Sequence, residues 1–253
     1  MSKTGLTVLV ITKNEASNIS DCLRSVEWAD NIVVVDAMST DETTEIARQY
    51  TENIFLHEWL GFGEAKNFGL AHCINEWVLW LDADERVTPE LAKEIQAVMA
   101  ANNTTAAYEI ARRAYFLGKW IRHCGWYPGY VTRLFRKSQA RFSETPVHEK
   151  LIVEGKTKRL QNDLLHFTDN DLEHYFQKFN AYTSLAAEEI AQHGRRAGFV
   201  DMVIRPPFTF FRMYILKCGF LDGFHGLLLC TLSAFYVFVK YAKVWEKKIH
   251  IQT

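Results

Sequence analysis

The sequence lacks the signatures of several common protein classes. It has no C-x-x-C pair, and its five cysteines are irregularly spaced, which predicts reduced thiols in a cytoplasmic protein and no structural zinc site. Neither G-x-G-x-x-G nor G-x-x-x-x-G-K-[ST] occurs, which argues against a dehydrogenase-type dinucleotide site and a P-loop. Lys and Arg number 29 against 30 Asp and Glu, so the nearly neutral chain is not expected to bind nucleic acid.

The apolar run at residues 224–239 is shorter than the roughly 20 residues that a spanning helix needs. Basic residues flank it, and from Arg195 onward nine Lys and Arg stand against three Asp and Glu. Cations beside Tyr and Trp predict a helical C-terminal region, residues 169–253, that contacts an anionic membrane surface. Burial against another helix or in an oligomer interface is the alternative.

Strand-like and helix-like segments alternate through the first part of the chain. The strands are predicted at residues 6–11, 32–35, 53–57 and 76–81, and the helices are predicted to begin near Ser17, Ser39, Glu64 and Thr88. This alternation predicts an α/β fold with a mostly parallel central sheet. Residues 106–167 change to short strands between Gly, Pro and aromatic residues, which predicts an antiparallel addition within a first domain of residues 1–168.

Polar side chains follow several of these predicted strands. Asp82, Asp84 and Glu85 come directly after a buried apolar strand, and Asp36 ends another. The carboxyl ends of parallel strands meet at one edge of a sheet, where open α/β sheets bind ligands. Carboxylates are the ligands that a hard divalent cation prefers, so the acids predict a cation site. An acidic turn that caps the next helix is the simpler alternative.

Four segments together resemble family 2 glycosyltransferases of the GT-A fold. They are residues 7–15 (TVLVITKNE), 34–43 (VVDAMSTDET), 64–69 (EAKNFG) and 80–85 (WLDADE). Residues 133–149 (RLFRKSQARFSETPVHE) and the C-terminal region resemble a narrower branch, the lipopolysaccharide-core β-glucosyltransferases. The resemblance implies a GT-A (Rossmann-like) fold and an inverting transfer of a hexose, glucose from UDP-glucose, to a heptose of the inner core. The chain departs from many members of that family because Glu85 follows Asp84, the second acid of the motif.

The resemblance also implies a cofactor and roles for individual residues. Asp84 is expected to hold Mg²⁺ or Mn²⁺, and Asp82 to meet the ribose or share the metal. Glu149 is expected to take the proton from the acceptor hydroxyl, with His148 positioning it or binding the acceptor. The remaining residues expected to contact the UDP-sugar are Thr12, Asn14, Glu15, Asp36, Ser39 and Lys66, with Asp36 accepting a hydrogen bond from the uracil.

Several of these residues have simpler explanations. Ser39 equally suits a helix cap, and Lys66 a solvent-facing position on a helix. Arg133 and Arg136 either meet acceptor phosphates or solvate a strand face. His166, a lone histidine at a strand end, is expected to be structural rather than a metal ligand.

Two other functions stay open on sequence alone. The same donor chemistry suits a polyprenyl-phosphate or a capsule or exopolysaccharide acceptor, and a non-catalytic nucleotide-sugar-binding protein would keep the same donor site. Both kinds of lipid-linked glycan acceptor predict a peripheral protein at the inner, cytoplasmic face of the membrane. The sequence leaves an oligomer open.

Overall fold

The structure, a computed structural model, describes residues 5–58, 62–101, 103–143, 150–194 and 197–251, without the side chains of Phe62 and residues 248–251. The chain forms two compact units. The first contains Met1–Arg112 and Tyr130–His166, and the second contains Arg113–Gly129 and Phe167–Thr253. Residues 113–129, which the sequence places in the first domain, therefore group with the C-terminal helices.

Twelve strands occur among the described residues. They are β1 (Leu6–Thr12), β2 (Asn31–Asp36), β3 (Ile54–Leu56), β4 (Trp77–Asp82), β5 (Glu85–Val87), β6 (Thr105–Phe116), β7 (Lys119–Trp120), β8 (Gly129–Arg136), β9 (Ala140–Phe142), β10 (Leu151–Val153), β11 (Lys156–Arg159) and β12 (Leu164–Asp169). The main sheet has the order β3-β2-β1-β4-β8-β6-β12-β5, and β9 pairs with β10 in a separate hairpin.

The first four strands of the sheet run parallel, and of the later strands β11 pairs in parallel with β6 whereas others join antiparallel. Strands β1, β2, β3 and β4 run parallel, whereas β8 is antiparallel to β4 and β12 is antiparallel to β5. All seven residues of β1 are buried, as expected for a central strand covered on both faces. The predicted α/β class and its antiparallel addition are both confirmed.

Four helices of the first unit connect or follow these strands. They are α1 (Ile19–Arg24), α2 (Thr43–Ala47), α3 (Phe62–His72) and α4 (Pro89–Ala100). Thr88 caps α4 as predicted, because its Oγ1 accepts from the Leu91 N–H at 3.1 Å. The predicted caps at Ser17 and Ser39 are wrong: α1 and α2 begin later, and neither helix has a side-chain cap hydrogen bond.

The second unit is built on α5 (Leu172–Gln192), α6 (Arg205–Phe211) and α7 (Gly223–Ile251). Helix α7 packs against α5 and α6, and its Leu229 and Cys230 are buried in the core of the unit. Lys243 donates to the Asn180 backbone oxygen at 3.0 Å and to Ser184 Oγ at 2.8 Å, and Lys247 lies 3.2 Å from Glu188. These two lysines belong to the basic residues that flank the apolar run, and they tie α7 to α5.

The exposed apolar side chains of this unit are concentrated in residues 199–224, here called the apolar stretch. They include Phe199, Val200, Val203, Ile204, Phe208, Phe211, Ile215, Leu216, Phe220, Leu221 and Phe224. Arg205, Arg212 and Lys217 are exposed along the same stretch, while its two acids, Asp201 and Asp222, are buried. Among the described residues, the helical stretch Gly219–Lys247 is long and apolar enough to cross a membrane by length and composition.

Gly69 sets how closely α3 approaches the sheet. A Cβ at this position would lie 2.5 Å from Leu9 Cδ1 and 2.9 Å from Val35 Cγ2, both on buried strands. We expect Gly69→Ala to lower the free energy of unfolding by about 1–3 kcal/mol through overpacking, although alanine favours helix. Chemical denaturation measures the change.

The control for Gly69 is Ala71→Gly at an exposed position of the same helix. This change alters helix propensity and costs at most about 1 kcal/mol, because Ala71 lies in the last turn of α3. A Gly69→Ala variant that is more stable than the parent protein would contradict the close packing.

Candidate functional site

The strand register brings the predicted polar strand ends together. On one side of β1, Thr12 pairs with Asp36 of β2, and on the other side Ile11 pairs with Asp82 of β4. Because these strands are parallel, the segments that follow them leave the same edge of the sheet. The site predicted at this edge is therefore geometrically coherent within the first unit.

A buried arginine lies between two of the acids. Arg133, on β8, is 2% exposed, and its Nη2 donates to both Asp82 Oδ2 and Glu85 Oε1, the latter at 2.7 Å. Glu85 is fully buried; its Oε1 lies 3.7 Å from Arg112, and its Oε2 accepts from the Asp82 backbone N–H at 3.1 Å. Glu85 therefore holds the turn that carries the acids, and Arg133 is an internal counter-charge rather than a contact for acceptor phosphate.

This arrangement shifts the pKa values of Glu85 and Asp82 in opposite directions. Burial raises the pKa of Glu85 above its ordinary value, and the neighbouring Asp82 charge adds to this effect. Burial acts on Asp82 in the same direction, but Arg133 and Lys66 more than offset it and hold the pKa of Asp82 below its ordinary value. The Asp82 side chain is 40% exposed, so it presents an ionised carboxylate at the sheet edge.

His166 joins the site through strand pairing. Antiparallel pairing of β12 with β5 places His166 opposite Glu85. Its Nε2 lies 3.3 Å from Asp84 Oδ2, and both side chains are mostly buried. The expectation that His166 is merely structural missed this contact, because a pairing between strands far apart in sequence produces it.

Lys66 is buried rather than solvent-facing. It is 4% exposed, and its Nζ lies 4.0 Å from the centroid of the Trp80 ring. The Arg133 guanidinium lies 3.9 Å from the same centroid. Two cations therefore share one indole ring beside Asp82, which stabilises their positions by cation–π attraction and concentrates positive charge next to the acids.

The loops after β1 and β2 are joined by hydrogen bonds. Asn14, with φ of 54°, donates its N–H to Ser39 Oγ at 2.8 Å, and its Oδ1 accepts from the Thr40 N–H at 2.8 Å. The Glu15 N–H donates to Thr43 Oγ1 at 2.8 Å. The residues predicted to surround the base and ribose thus form one connected structure, and Ser39 serves this connection instead of a helix cap.

Asp36 is the innermost member of this group. It is fully buried, and its two oxygens accept from the Ser39 N–H at 2.7 Å and from Ser39 Oγ at 2.5 Å. The predicted contact with uracil would therefore require the enclosing loop to open. Thr12 is also buried, and its Oγ1 has no hydrogen-bond partner within the described part of the chain.

The remaining predicted residues divide into two groups. His148 and Glu149 lie outside the described residues. Arg136 does not face an acceptor: it donates to the backbone oxygens of Thr105 and Asn103 and lies 4.4 Å from the centroid of the Trp77 ring. The Arg136 guanidinium therefore stabilises the fold.

The donor set at Asp84 fits a divalent cation. Within the described ranges, no three His, Cys, Asp or Glu side chains are grouped to hold a metal ion. Mg²⁺-type sites commonly take one or two carboxylates and complete their shell with substrate phosphates and water. The carboxylate of Asp84 matches that incomplete protein shell, and the imidazole of His166 lies 3.3 Å from it.

Comparison with known proteins shows which family this chain belongs to. Residues 7–150 match the family model described as Glycosyl transferase family 2. The chain is 29% identical to the lipopolysaccharide core biosynthesis glycosyltransferase LpsC of Rhizobium meliloti, over 97% of this chain and 93% of the relative.

Solved structures superimpose on the chain only loosely. S. aureus TarS 1-349 in complex with UDP-GlcNAc has a TM-score of 0.48 at 15% identity, covering 97% of this chain and 92% of that one. Glucosyl-3-phosphoglycerate synthase from Mycobacterium tuberculosis, in complex with Mn²⁺ and UDP-glucose, has a TM-score of 0.39 at 20% identity, covering 43% and 44%. The family assignment rests on the family model, not on these superpositions.

Removing Arg133 should leave the buried Glu85 and the partly exposed Asp82 without their shared counter-charge. We expect Arg133→Met to lower the free energy of unfolding by about 3–5 kcal/mol, the usual effect of breaking a buried ion pair on one side. Urea denaturation measures the change. Arg136→Met is the matched control, because it removes two hydrogen bonds to backbone and should cost about 1–3 kcal/mol. Equal losses in the two variants would contradict the role assigned to Arg133.

Proposed function

The chain belongs to glycosyl transferase family 2, and from that premise we propose that it transfers a hexose, glucose from UDP-glucose, to a heptose of the lipopolysaccharide inner core with inversion. The observation that carries the proposal is the convergence of Asp82, Asp84 and His166 at the sheet edge. Similarity to LpsC over nearly the whole chain supports the acceptor class.

The donor site is assigned to the loops after β1 and β2 and to the turn of residues 82–85. Thr12, Asn14, Glu15 and Ser39 form the side that meets the base and ribose, with Asp36 holding Ser39 from behind. Asp82, kept ionised by Arg133, is suited to accept from ribose hydroxyls. Lys66 contributes positive charge on the side where the diphosphate would lie.

Asp84 and His166 are assigned to the metal. A divalent cation, Mg²⁺ or Mn²⁺, held there would neutralise charge that develops on the departing diphosphate. Glu85 and Arg133 bind no substrate in this proposal. They fix the backbone of the turn so that Asp82 and Asp84 keep their positions.

Transfer also needs a base for the acceptor hydroxyl. We assign this role to Glu149, with His148 beside it, on the resemblance of residues 133–149 to the narrower branch. A carboxylate on the acceptor side removes the proton while the oxygen attacks the anomeric carbon, and the bond to the diphosphate breaks on the opposite face. One such base is sufficient for inversion.

The apolar stretch is the proposed contact with the membrane that carries the acceptor. Its exposed Phe, Ile, Leu and Val side chains would enter the lipid interface, while Arg212 and Lys217 match anionic headgroups. Arg205 is instead paired with Asp201 at 2.8 Å. The cytoplasmic leaflet has the required negative surface potential. We therefore propose a peripheral protein at the inner face of the cytoplasmic membrane.

Turnover assays with purified protein test the reaction. UDP-glucose and Mn²⁺ or Mg²⁺ are supplied with a heptose-containing core acceptor, and UDP-galactose and the N-acetyl sugars serve as alternative donors. Asp84→Asn should lower turnover by about a hundredfold or more, and Glu149→Gln by about a hundredfold or more with UDP affinity unchanged. Asp171→Asn, which keeps a helix cap, and exposed Glu154→Gln are the matched controls.

The assay outcomes separate the candidate functions. Activity with polyprenyl phosphate, but not with core acceptor, would remove the lipopolysaccharide assignment. Binding of UDP-sugar without turnover on any acceptor would favour a non-catalytic protein. Unchanged turnover in Glu149→Gln would mean that another residue is the base.

Vesicle flotation tests the membrane contact. The protein should bind vesicles made of equal parts phosphatidylglycerol and phosphatidylcholine, less with pure phosphatidylcholine, and less as salt screens the charges. Phe208→Ser with Phe211→Ser should weaken binding by at least about tenfold, because each buried Phe is worth roughly 1.5–3 kcal/mol.

The control for flotation is Leu172→Ser with Phe176→Ser. Both residues are exposed and apolar but lie on α5, outside the apolar stretch. Equal losses in the two double variants, or binding that is insensitive to lipid charge, would contradict the assignment of this stretch.

A further inference from the structure

A cavity of about 380 Å³ lies within the second unit. Helices α5 and α7 form most of its wall, and the end of β12 forms part of the rest. The apolar and aromatic lining comes from Trp126, Tyr175, Phe179, Leu229, Tyr236 and Val237. A cavity of this size and lining suits a small apolar group, because ligand sites are mostly apolar with few polar groups. The reaction proposed above uses none of these residues.

One carboxylate in the cavity wall is incompletely satisfied. Asp169 is 6% exposed, and its Oδ1 is buried without a hydrogen-bond partner among the described residues. Its Oδ2 accepts from Thr168 Oγ1 at 3.2 Å. A buried acceptor without a partner is costly, so this oxygen is suited to receive a donor from a molecule that occupies the cavity.

Three other polar groups in the cavity wall are either partly buried or already hydrogen-bonded. Burial, followed by the Asp169 charge, raises the pKa of Tyr175 to about 12, so its hydroxyl stays protonated. Lys178 donates to the Thr168 backbone oxygen at 2.9 Å, and Tyr236 donates to the Tyr182 backbone oxygen at 3.2 Å. Asp169 is thus the group in the wall that most needs a donor.

We propose that this cavity binds a single aliphatic chain bearing a hydroxyl group, with the hydroxyl donating to Asp169. A saccharide fits less well, because several hydroxyls would face Phe179, Leu229 and Val237 without partners. That the natural ligand is a membrane lipid rests on the membrane contact proposed above, whereas the site itself does not.

Isothermal titration calorimetry with octan-1-ol, kept below its aqueous solubility, tests the site in the full-length protein. We expect saturable binding at one site. Asp169→Leu should weaken octan-1-ol binding by about tenfold or more, since the hydrogen bond to a charged group is lost. Asp169→Asn keeps an acceptor oxygen and should restore most of the affinity.

A cavity-filling variant keeps the proposal testable if Asp169→Leu does not fold. Ser233→Phe places a ring into the cavity from α7 and should abolish binding. Thermal unfolding of each variant checks that it is folded. Absence of saturable octan-1-ol binding, binding unchanged by Ser233→Phe, or saturation by methyl β-glucoside in place of octan-1-ol would overturn the proposal. None of these outcomes depends on glycosyl transfer.

Discussion

The first unit depends on one buried cation, Arg133, shared between Asp82 and Glu85. Acids at the end of a buried strand are expensive to enclose unless a positive charge compensates them. Arg133 supplies that charge from β8, the strand that joins β4 on its antiparallel side. The same interaction holds the turn of residues 82–85 in place and leaves Asp82 ionised and accessible.

Asp82, Asp84 and Glu85 differ in their contacts because they are buried to different extents. Glu85 is fully enclosed and binds backbone and arginine, Asp82 has an exposed edge, and Asp84 faces His166. Three carboxylates within four residues thus have three environments. The extra acid that distinguishes this chain from many of its family has a structural explanation, because Glu85 accepts from the Asp82 backbone and from Arg133.

Much of the fold could be predicted from local sequence, and less of the site could be. The alternation of strands and helices, the cap at Thr88 and the cluster at Asp82 follow from short-range patterns. The position of His166 and the burial of Lys66 could not be predicted, because each depends on pairing or packing between segments far apart in the chain. The contacts of the C-terminal lysines could not be predicted for the same reason, because Lys243 donates a hydrogen bond to Ser184 on α5.

Hydrogen bonds connect the loop after β1 to the loop after β2. They join Asn14 to Ser39 and Thr40, and Glu15 to Thr43. A nucleotide bound as proposed above would lose little affinity to ordering these loops, since they are already ordered in the folded protein. We expect the same hydrogen bonds to couple the effects of substitutions in the two loops. A change at Ser39 removes a partner from both Asn14 and Asp36, so it would be tolerated only with compensating changes in the other loop.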